Sequence, residues 1–286
     1  MARGIDHLVI GLRDLDAGAR FYETLGFQVG GRNRHPWGTE NRIVQFRSSF
    51  LELIAVADRS AIPEPRPQAF SFGAFVRDYL DRREGLAMLV LTSEDARADA
   101  AAFSAAGIGT YEPFAFERQA LRPDGGETRV AFSLAFAEPL STSAGLFVCR
   151  QETPENFWNP RFQKHPNGAT GIAVVALAAA NPPDLAERLA AFAGAPATMP
   201  GQNDFSIALA SGRIDGLTVE DAAYLFGSVE ADPPLPAFVA VTLAVADLDR
   251  VRRMLSSERL PYQEIGSRVV VPASVAHGVA IAFELG

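Results

Sequence analysis

Apolar positions along the chain follow two periodicities that alternate in a fixed order. Residues 5–12 form a short apolar run rich in β-branched side chains, a pattern typical of a β-strand. Apolar residues then recur at helical spacing over 15–25, with Asp14 placed as the N-cap and Gly26 as the stop. Further strand-like segments follow at 27–30, 42–47 and 50–55. This order predicts a β-α-β-β-β module of about 50 residues.

The same order of segments returns three more times along the chain. In the second copy Ser93 is the predicted helix cap and Gly107 the predicted stop, and in the fourth copy Asp247 takes the place of Asp14. The first strands of these copies lie at 86–92, 170–179 and 238–245. Repetition of this kind indicates a fold built from one recurring unit. The sequence therefore predicts an α+β protein of four β-α-β-β-β modules.

Two proline-containing stretches interrupt the repetition. Residues 60–68 contain three prolines, which excludes a regular central strand or helix interior there. Residues 151–166 also contain three prolines and few periodic apolar positions, so we interpret them as a linker between domains at 1–150 and 167–286. The modules could pair first with second and third with fourth, or first with fourth and second with third.

Four local strings in the chain carry a resemblance to a known family. They are Asp6-His7-Leu8-Val9, His35-Pro36-Trp37-Gly38-Thr39-Glu40-Asn41, Phe50-Leu51-Glu52-Leu53 and the linker residues 154–169. With the four modules, these strings resemble the bacterial glyoxalase-like domain proteins of the vicinal oxygen chelate superfamily, which also includes bleomycin-resistance proteins and extradiol dioxygenases. The resemblance implies two tandem glyoxalase-like domains with cupped mixed sheets. It also implies a site in the first domain and a second, degenerate domain.

The resemblance places candidate metal ligands on two strands of the first module. A ligand from the first strand falls on His7, and a carboxylate from the fourth strand falls on Glu52, which the resemblance also implies as the catalytic base. Each shares a strand face with apolar side chains, so each needs a partner. That partner could be a metal ion or a His–Glu hydrogen bond. Gln151 and Glu152 are further candidate ligands, and the implied metal is zinc, iron, nickel or manganese.

The other modules depart from that ligand pattern. Met88 matches His7 in the second module, and Cys149 is the one conceivable ligand on the strand that matches Glu52. Neither is a typical ligand of a hard metal ion. In the fourth module Ala240 matches His7, and Glu284 matches Glu52 without a histidine opposite. These departures keep a metal-free reading of the cup open.

Candidate substrate contacts come from arginine, tryptophan and histidine residues. Arg42 and Arg129 recur at the same place in the first two modules, and a guanidinium there could clamp a carboxylate or carbonyl group. The alternative is a pair of exposed strand-edge arginines. Trp37 is a candidate pocket wall. His165 precedes a proline in a turn sequence, so it either holds the turn or contacts the substrate.

Composition narrows the classes of partner. The 286 residues are 48% hydrophobic and 21% charged, as in ordinary globular proteins. A net charge of −8 disfavours nucleic acids and anionic membranes. The single cysteine excludes an intrachain disulfide and fits a cytoplasmic setting. No apolar run is long enough to span a bilayer. The expected partner is a small molecule, and a homodimer is compatible with the sequence.

Three functions agree with these features. The first is a divalent-metal-dependent enzyme, of lyase, isomerase or dioxygenase type, that acts on a small carbonyl or vicinal-oxygen compound. The second is a non-catalytic binder that resembles bleomycin-resistance proteins and holds its ligand in the cup without metal. The third is a dimerising scaffold whose cup is filled by its own side chains. Fold alone does not choose among them.

Overall fold

The computed structural model of the chain describes residues 2–121, 126–227 and 234–286. Four β-α-β-β-β modules follow one another, as the sequence predicts. The first comprises β1 (Ile5–Gly11), α1 (Leu15–Thr24), β2 (Asn33–Arg34), β3 (Thr39–Gln45) and β4 (Phe50–Val56). After helix α2 (Phe72–Arg82), the second comprises β5 (Gly85–Thr92), α3 (Ala96–Ala105), β6 (Phe114–Leu121), β7 (Glu127–Ser141) and β8 (Ala144–Gln151).

The second half of the chain repeats this plan. After the short helix α4 (Pro154–Phe157), the third module comprises β9 (Ala169–Ala179), α5 (Pro183–Ala193), β10 (Ala197–Thr198), β11 (Phe205–Ala208) and β12 (Arg213–Thr218). After α6 (Val219–Phe226), the fourth comprises β13 (Ala237–Val245), α7 (Leu248–Ser257), β14 (Gln263–Ile265), β15 (Arg268–Val271) and β16 (Ala280–Leu285). Within the described residues, none of the helices has the length and apolar character needed to cross a membrane.

The strands form two mixed sheets of eight strands each, which confirms the predicted fold class. The first sheet has the order β2-β3-β4-β1-β5-β8-β7-β6, and the second has the order β10-β11-β12-β9-β13-β16-β15-β14. In each sheet the first strands of two modules pair antiparallel at the centre, and each pairs in parallel with the last strand of its own module. The first module thus joins the second, and the third joins the fourth.

The sequence predicts the positions of the module helices correctly, but it predicts one helix cap and one strand wrongly. Asp14 caps α1 by accepting bonds from two backbone N–H groups, as expected. The cap of α3 is Asp95, because Ser93 lies too far before the first turn and instead donates to Asp99 at 2.5 Å. The second strand of the first module is Asn33–Arg34 rather than 27–30, a segment that makes a single backbone bond to β3 through Gly30.

One face of each sheet packs into a core that both halves share. Strand β1 contributes Leu8 and Ile10 to this core, and strand β13 contributes Val241 and Leu243. The four module helices α1, α3, α5 and α7 also contribute buried side chains to it. Since side chains alternate along a strand, only the opposite face of each sheet is left for other contacts. We call that opposite face of the first sheet the cup.

The opposite face of the second sheet is filled by the chain itself. Ala222 and Phe226 of α6 pack there, against small side chains of the central strands. Those side chains are Ala176, Ala178, Ala240, Ala280 and Ala282. Arg268 lies over the Phe226 ring at 5.4 Å and donates to Glu284 at 3.0 Å. In the second sheet, apolar side chains and the Arg268–Glu284 pair therefore cover the face that corresponds to the cup.

Register corrects one match drawn from the sequence. Phe50 of β4 pairs with His7, and Ala280 of β16 pairs with Ala240, the residue that matches His7. Phe50 and Ala280 are therefore equivalent, and so are the residues two positions after each of them. The residue that matches Glu52 is therefore Ala282. Glu284 lies two residues further along, near the end of β16.

The linker is held to the first half by a buried histidine. His165 accepts a bond at Nδ1 from the backbone N–H of Gln28 at 3.0 Å, and its Nε2 donates to the carbonyl oxygen of Gln45 at 2.8 Å. It is 6% exposed. Burial lowers the pKa of His165, although the bond to Gln45 acts in the opposite direction. The imidazole is therefore neutral in the folded chain and holds the turn that precedes β9.

We expect Phe192→Ala to weaken both halves together. Phe192 is fully buried in the shared core, where its ring lies 5.7 Å from that of Phe103 across the two halves. The loss should be about 3–5 kcal/mol of unfolding free energy. Both tryptophans, Trp37 and Trp158, lie in the first domain or the linker, so their fluorescence reports on that part while circular dichroism reports on all of it.

Guanidinium unfolding followed by both signals checks this expectation. The two midpoints should fall together, by the same amount. Tyr224→Ala, at a side chain that is 79% exposed on α6, serves as the control that should leave both midpoints in place. A lower midpoint by circular dichroism with an unchanged fluorescence midpoint would show that the halves unfold independently.

The stabilising effect of His165 should depend on pH. At about pH 7.5 His165→Gln should cost about 1–3 kcal/mol, because a buried donor and a buried acceptor lose their partner. In the unfolded chain the imidazole takes up a proton near 6.5, whereas the folded chain resists this because Nδ1 already accepts a bond. The advantage of the wild type over the variant should therefore shrink as the pH falls from 6.5 towards the lower folded pKa.

Urea unfolding of the two proteins between about pH 7.5 and about pH 5 measures this difference. An advantage that stays constant, or grows on acidification, would contradict a neutral His165 in the folded chain.

Candidate functional site

The cup of the first sheet encloses a cavity of about 60 Å³. Its walls are formed by strands of the first and second modules, by α2 and by the linker. Eight of the lining side chains are aromatic: Trp37, Phe50, Phe72, Phe114, Phe116, Phe132, Phe147 and Phe157. The polar lining side chains are His7, His35, Asn41, Glu52, Arg118 and Cys149. The first cup therefore holds a cavity with mostly aromatic walls and a few polar groups.

His7 is fixed by a carboxylate that a strand irregularity brings beside it. Ile5 pairs with Leu91 and His7 pairs with Val90, so Asp6 is an extra residue in β1, as in a β-bulge. The bulge lets neighbouring side chains meet, and His7 Nδ1 lies 2.5 Å from Asp6 Oδ1. In the neutral imidazole such a bond places the proton on Nδ1 and leaves Nε2, on the side of Glu52, as an acceptor.

Glu52 presents the second functional group, on the neighbouring strand. It pairs in register with Val9 of β1, and its Oε2 lies 3.7 Å from His7 Nε2. Its Oε1 accepts a bond from Asn41 Nδ2 at 2.5 Å. A separation of 3.7 Å is too long for a direct hydrogen bond, but one water or ligand atom could bridge the two groups.

A third polar group lies near the mouth. His35 Nδ1 is 2.8 Å from Thr39 Oγ1, and its Nε2 is 3.3 Å from Asn41 Nδ2. Burial lowers the pKa of His35, with Arg118 acting in the same direction and Glu52 against it. His35 stacks on Trp37 at 4.7 Å, and the Trp37 indole N–H is buried without a partner in the described structure. A neutral histidine and a free donor thus flank the entrance.

Arg118 completes the cavity, and the sequence analysis did not find it. On β6 it follows Phe114 and Phe116 at alternate positions, so all three side chains share the cup face. Burial lowers the pKa of Arg118, and the charge of Glu52 opposes that effect. The alternation Phe-x-Phe-x-Arg was visible in the sequence. This alternation indicates a shared face only if residues 114–121 form a strand, and the sequence patterns did not identify that strand.

The structure brings three of the candidate site residues to the cavity: His7, Glu52 and Trp37. Gln151 lies behind His7, where its Nε2 donates to Asp6 Oδ2 at 3.0 Å. Glu152 instead lies beside Ser133 and Arg150, at 2.7 Å and 3.1 Å.

The remaining three candidates lie elsewhere. Arg42 donates to Asp16 at 3.0 Å on the opposite face of β3, because its neighbour Ile43 takes the cup position. Arg129 pairs with Glu117 at 3.0 Å on the outer face of the β6–β7 hairpin. His165 holds the linker turn. None of the three lines the cavity.

The donor set does not fit the divalent metal, zinc, iron, nickel or manganese, that the resemblance implies. His7–Val90 and Val9–Met88 are symmetrically related pairs, so Met88 occupies the position equivalent to His7. Met88 is fully buried outside the cavity lining, and Phe147 occupies the position equivalent to Glu52. Only two candidate ligands, His7 and Glu52, face each other in the cavity, whereas a catalytic zinc site has three protein ligands. In the described ranges, no three His, Cys, Asp or Glu side chains are grouped to hold a metal ion.

Cys149 lies in the apolar wall of the cavity, beside Phe147 on β8. Burial raises the pKa of its thiol well above the ordinary value, and the charges of Asp6, Glu52 and Glu152 add to this effect. Since the nucleophile is the thiolate, this cysteine is not set up as a nucleophile.

Solved structures share this architecture at low sequence identity. A hypothetical protein from Staphylococcus aureus matches with a TM-score of 0.67 and 12% identity, over 99% of this chain and all of that one. A mutant of 4-hydroxymandelate synthase from Streptomyces coelicolor matches at 0.59 and 12%, over 99% and 92% of the two chains. The Mn(II)-bound glyoxalase from Novosphingobium aromaticivorans matches at 0.54 and 13%, over 99% and 82%. Identities this low show a shared fold only.

The sequence itself is matched by one family. No curated protein matches it. Residues 5–193, which include the first two modules, match the family described as Glyoxalase-like domain. Because this match covers more than half of the chain, the chain belongs to the Glyoxalase-like domain family.

Proposed function

We propose that the first cup binds a small, flat apolar molecule with an oxygen-bearing end, and that it does so without a resident metal ion. The observation that carries this proposal is the lining of the cavity. Eight aromatic rings surround it, and two hydrogen-bond acceptors, His7 Nε2 and Glu52 Oε2, lie together on its floor. Pockets with mostly apolar walls and few polar groups are typical of small-molecule sites.

The aromatic walls favour a flat partner. Phe50 stacks on His7 at 4.2 Å, and Phe116 stacks on Phe132 at 5.2 Å, so ring faces as well as ring edges border the space. Each well-placed aromatic contact is worth about 0.5–1.5 kcal/mol beyond the apolar area that it buries. An aromatic ligand would add its own contacts to these pairs.

The polar floor favours an O–H group on the ligand. Asp6 holds the proton of His7 on Nδ1, so Nε2 accepts rather than donates. Glu52 accepts as well, and one of its oxygens is already used by Asn41. A ligand hydroxyl in the space between them could donate its proton to one of the two acceptors, where a water molecule would otherwise bridge both.

The size of the cavity limits the ligand. Its volume of about 60 Å³ is well below the roughly 150 Å³ of a cavity known to hold benzene. A ring-sized ligand would therefore need side chains at the mouth to turn outwards. Phe114 is 39% exposed and lies on β6, the last strand of the sheet order. It is the wall that could move with least loss of packing.

A catalytic function of the same pocket is the second candidate. A carboxylate that orients a histidine is the arrangement used for proton transfer, and also behind metal-bound histidines. With Nε2 free, His7 could take a proton from an O–H or from a C–H next to a carbonyl, with Glu52 beside the same atom. The metal-dependent lyase, isomerase or dioxygenase that the resemblance implies is the rival, and the experiment below separates it from metal-free binding.

We expect the chelator-treated protein to bind 4-fluorobenzyl alcohol, a flat ring with a single hydroxyl. Fluorine NMR of the probe should show saturable broadening, unchanged by manganese or zinc. Cys149→Phe, which places a ring inside the cavity, should weaken binding by about tenfold or more, since it removes the apolar contact area. Leu134→Phe fills the same space from another strand and covers the case in which the first variant misfolds.

Tyr224→Ala is the control, since its exposed side chain lies on the second half. Binding that appears only after metal is added would contradict the proposal. So would near-stoichiometric metal in the purified protein that is lost in His7→Ala. Either result would support the metal-dependent enzyme.

A further inference from the structure

Arg118 is a cation that lines the cavity, and it makes no ion pair with a carboxylate among the described residues. Its Nη1 donates to the carbonyl oxygen of Gln119 at the long distance of 3.5 Å. Guanidinium carries five N–H donors, so most of them have no acceptor in the described part of the chain. Arg42, Arg129, Arg150 and Arg268 each pair with a carboxylate. Arg118 differs from them in facing a pocket.

The nearest acid does not neutralise it. Glu52 lies in the same cavity and affects Arg118 through its charge, yet the two make no ion pair within 4 Å among the described residues. Glu52 is instead occupied by Asn41 on one side and faces His7 on the other. His35, the other titratable group beside Arg118, is neutral or positively charged at any pH, so it cannot balance the charge of the guanidinium. Burial lowers the pKa of His35 and favours its neutral form.

A second unused donor borders the same part of the wall. The Trp37 indole N–H is buried and has no acceptor among the described residues. The Trp37 ring packs edge-on against Phe116 at 4.9 Å, and Phe116 precedes Arg118 on the cup face of β6. A buried donor without a partner is rare in folded proteins. The half-buried guanidinium of Arg118 adds unused donors to the same wall, so the two groups together point to an acceptor supplied from outside.

From these groups we infer that the molecule bound in the first cup carries a carboxylate, and that Arg118 and the Trp37 indole N–H receive it. This inference rests on the proposed function, since it names the ligand class of the same pocket. A planar carboxylate matches the fork of guanidinium donors, and Arg–carboxylate bonds are among the stronger hydrogen bonds in proteins. The aromatic walls would take up the apolar body of the ligand.

The unused donors of the cavity favour an anionic ligand over two other classes. A cationic ligand would be attracted by Glu52 but repelled by Arg118, which makes no ion pair among the described residues. A neutral ligand would bind more weakly than an anion, since it offers the guanidinium and the indole N–H no charged acceptor after water is displaced. A small apolar carboxylate satisfies both donors and fills the aromatic space.

The test compares two probes of the same shape, 4-fluorophenylacetate and 4-fluorophenylacetamide, by fluorine NMR. The wild type should bind the carboxylate at least about tenfold more tightly than the amide. Arg118→Gln should remove this preference and leave the affinity for the amide within about twofold, because the apolar contacts remain. Trp37→Phe should keep the wall and weaken carboxylate binding by about three- to tenfold, through the loss of one donor.

Arg150→Gln is the matched control, since Arg150 is an exposed arginine on the outer face of β8. It should retain the full preference for the carboxylate. Equal binding of both probes by the wild type would overturn the carboxylate site and leave the proposed pocket standing. A preference that survives in Arg118→Gln would overturn the role of Arg118. Failure of both probes and of 4-fluorobenzyl alcohol to bind would overturn the proposed function together with this inference.

Discussion

Burial of one whole face of each sheet in a shared core is the constraint on which the rest of the structure depends. Leu8 and Ile10 of β1 and Val241 and Leu243 of β13 belong to the same apolar cluster. Because side chains alternate along a strand, this leaves each sheet one face on which polar groups can collect. His7 and Glu52 occupy that face in the first sheet. Their convergence follows from pairing β4 beside β1 in register.

The four modules carry different side chains on that remaining face. At the position of His7 the other modules carry Met88, Val174 and Ala240, as their strand registers show. The second sheet covers its free face with alanines and with Phe226 from α6, which buries apolar surface there. In the first sheet the same space is lined by rings and charged groups. One fold thus carries a packed copy and an open copy, and the site belongs to the open one.

Much of the fold was readable from the sequence, because its signals are local. Strand and helix periods, Asp14 and the glycine after α1 gave the module, and repetition gave the number of modules. The resemblance implied the site at His7 and Glu52, and alternation placed each on a strand face with apolar side chains. The strand and helix periods and the caps depend on neighbours along the chain and need no knowledge of the tertiary contacts.

What the sequence could not supply depends on contacts between distant segments. The bond from Asp6 to His7 needs a bulge that only the pairing with β5 reveals. Arg42 and Arg129 recur at matching places, but recurrence does not say which face of a strand a side chain takes. Arg118 was missed because the strand that aims it at the cavity was not recognised. The cavity itself arises from the packing of two modules.

The most direct test of this account is a crystal structure of the chelator-treated protein with 4-fluorobenzyl alcohol. We expect density for the ring inside the aromatic cup, its hydroxyl within about 2.7–3.2 Å of His7 Nε2 or Glu52, and no anomalous metal peak. A metal peak between His7 and Glu52 in crystals grown without added metal would contradict metal-free binding. A probe found only outside the cup would contradict the assignment of the pocket.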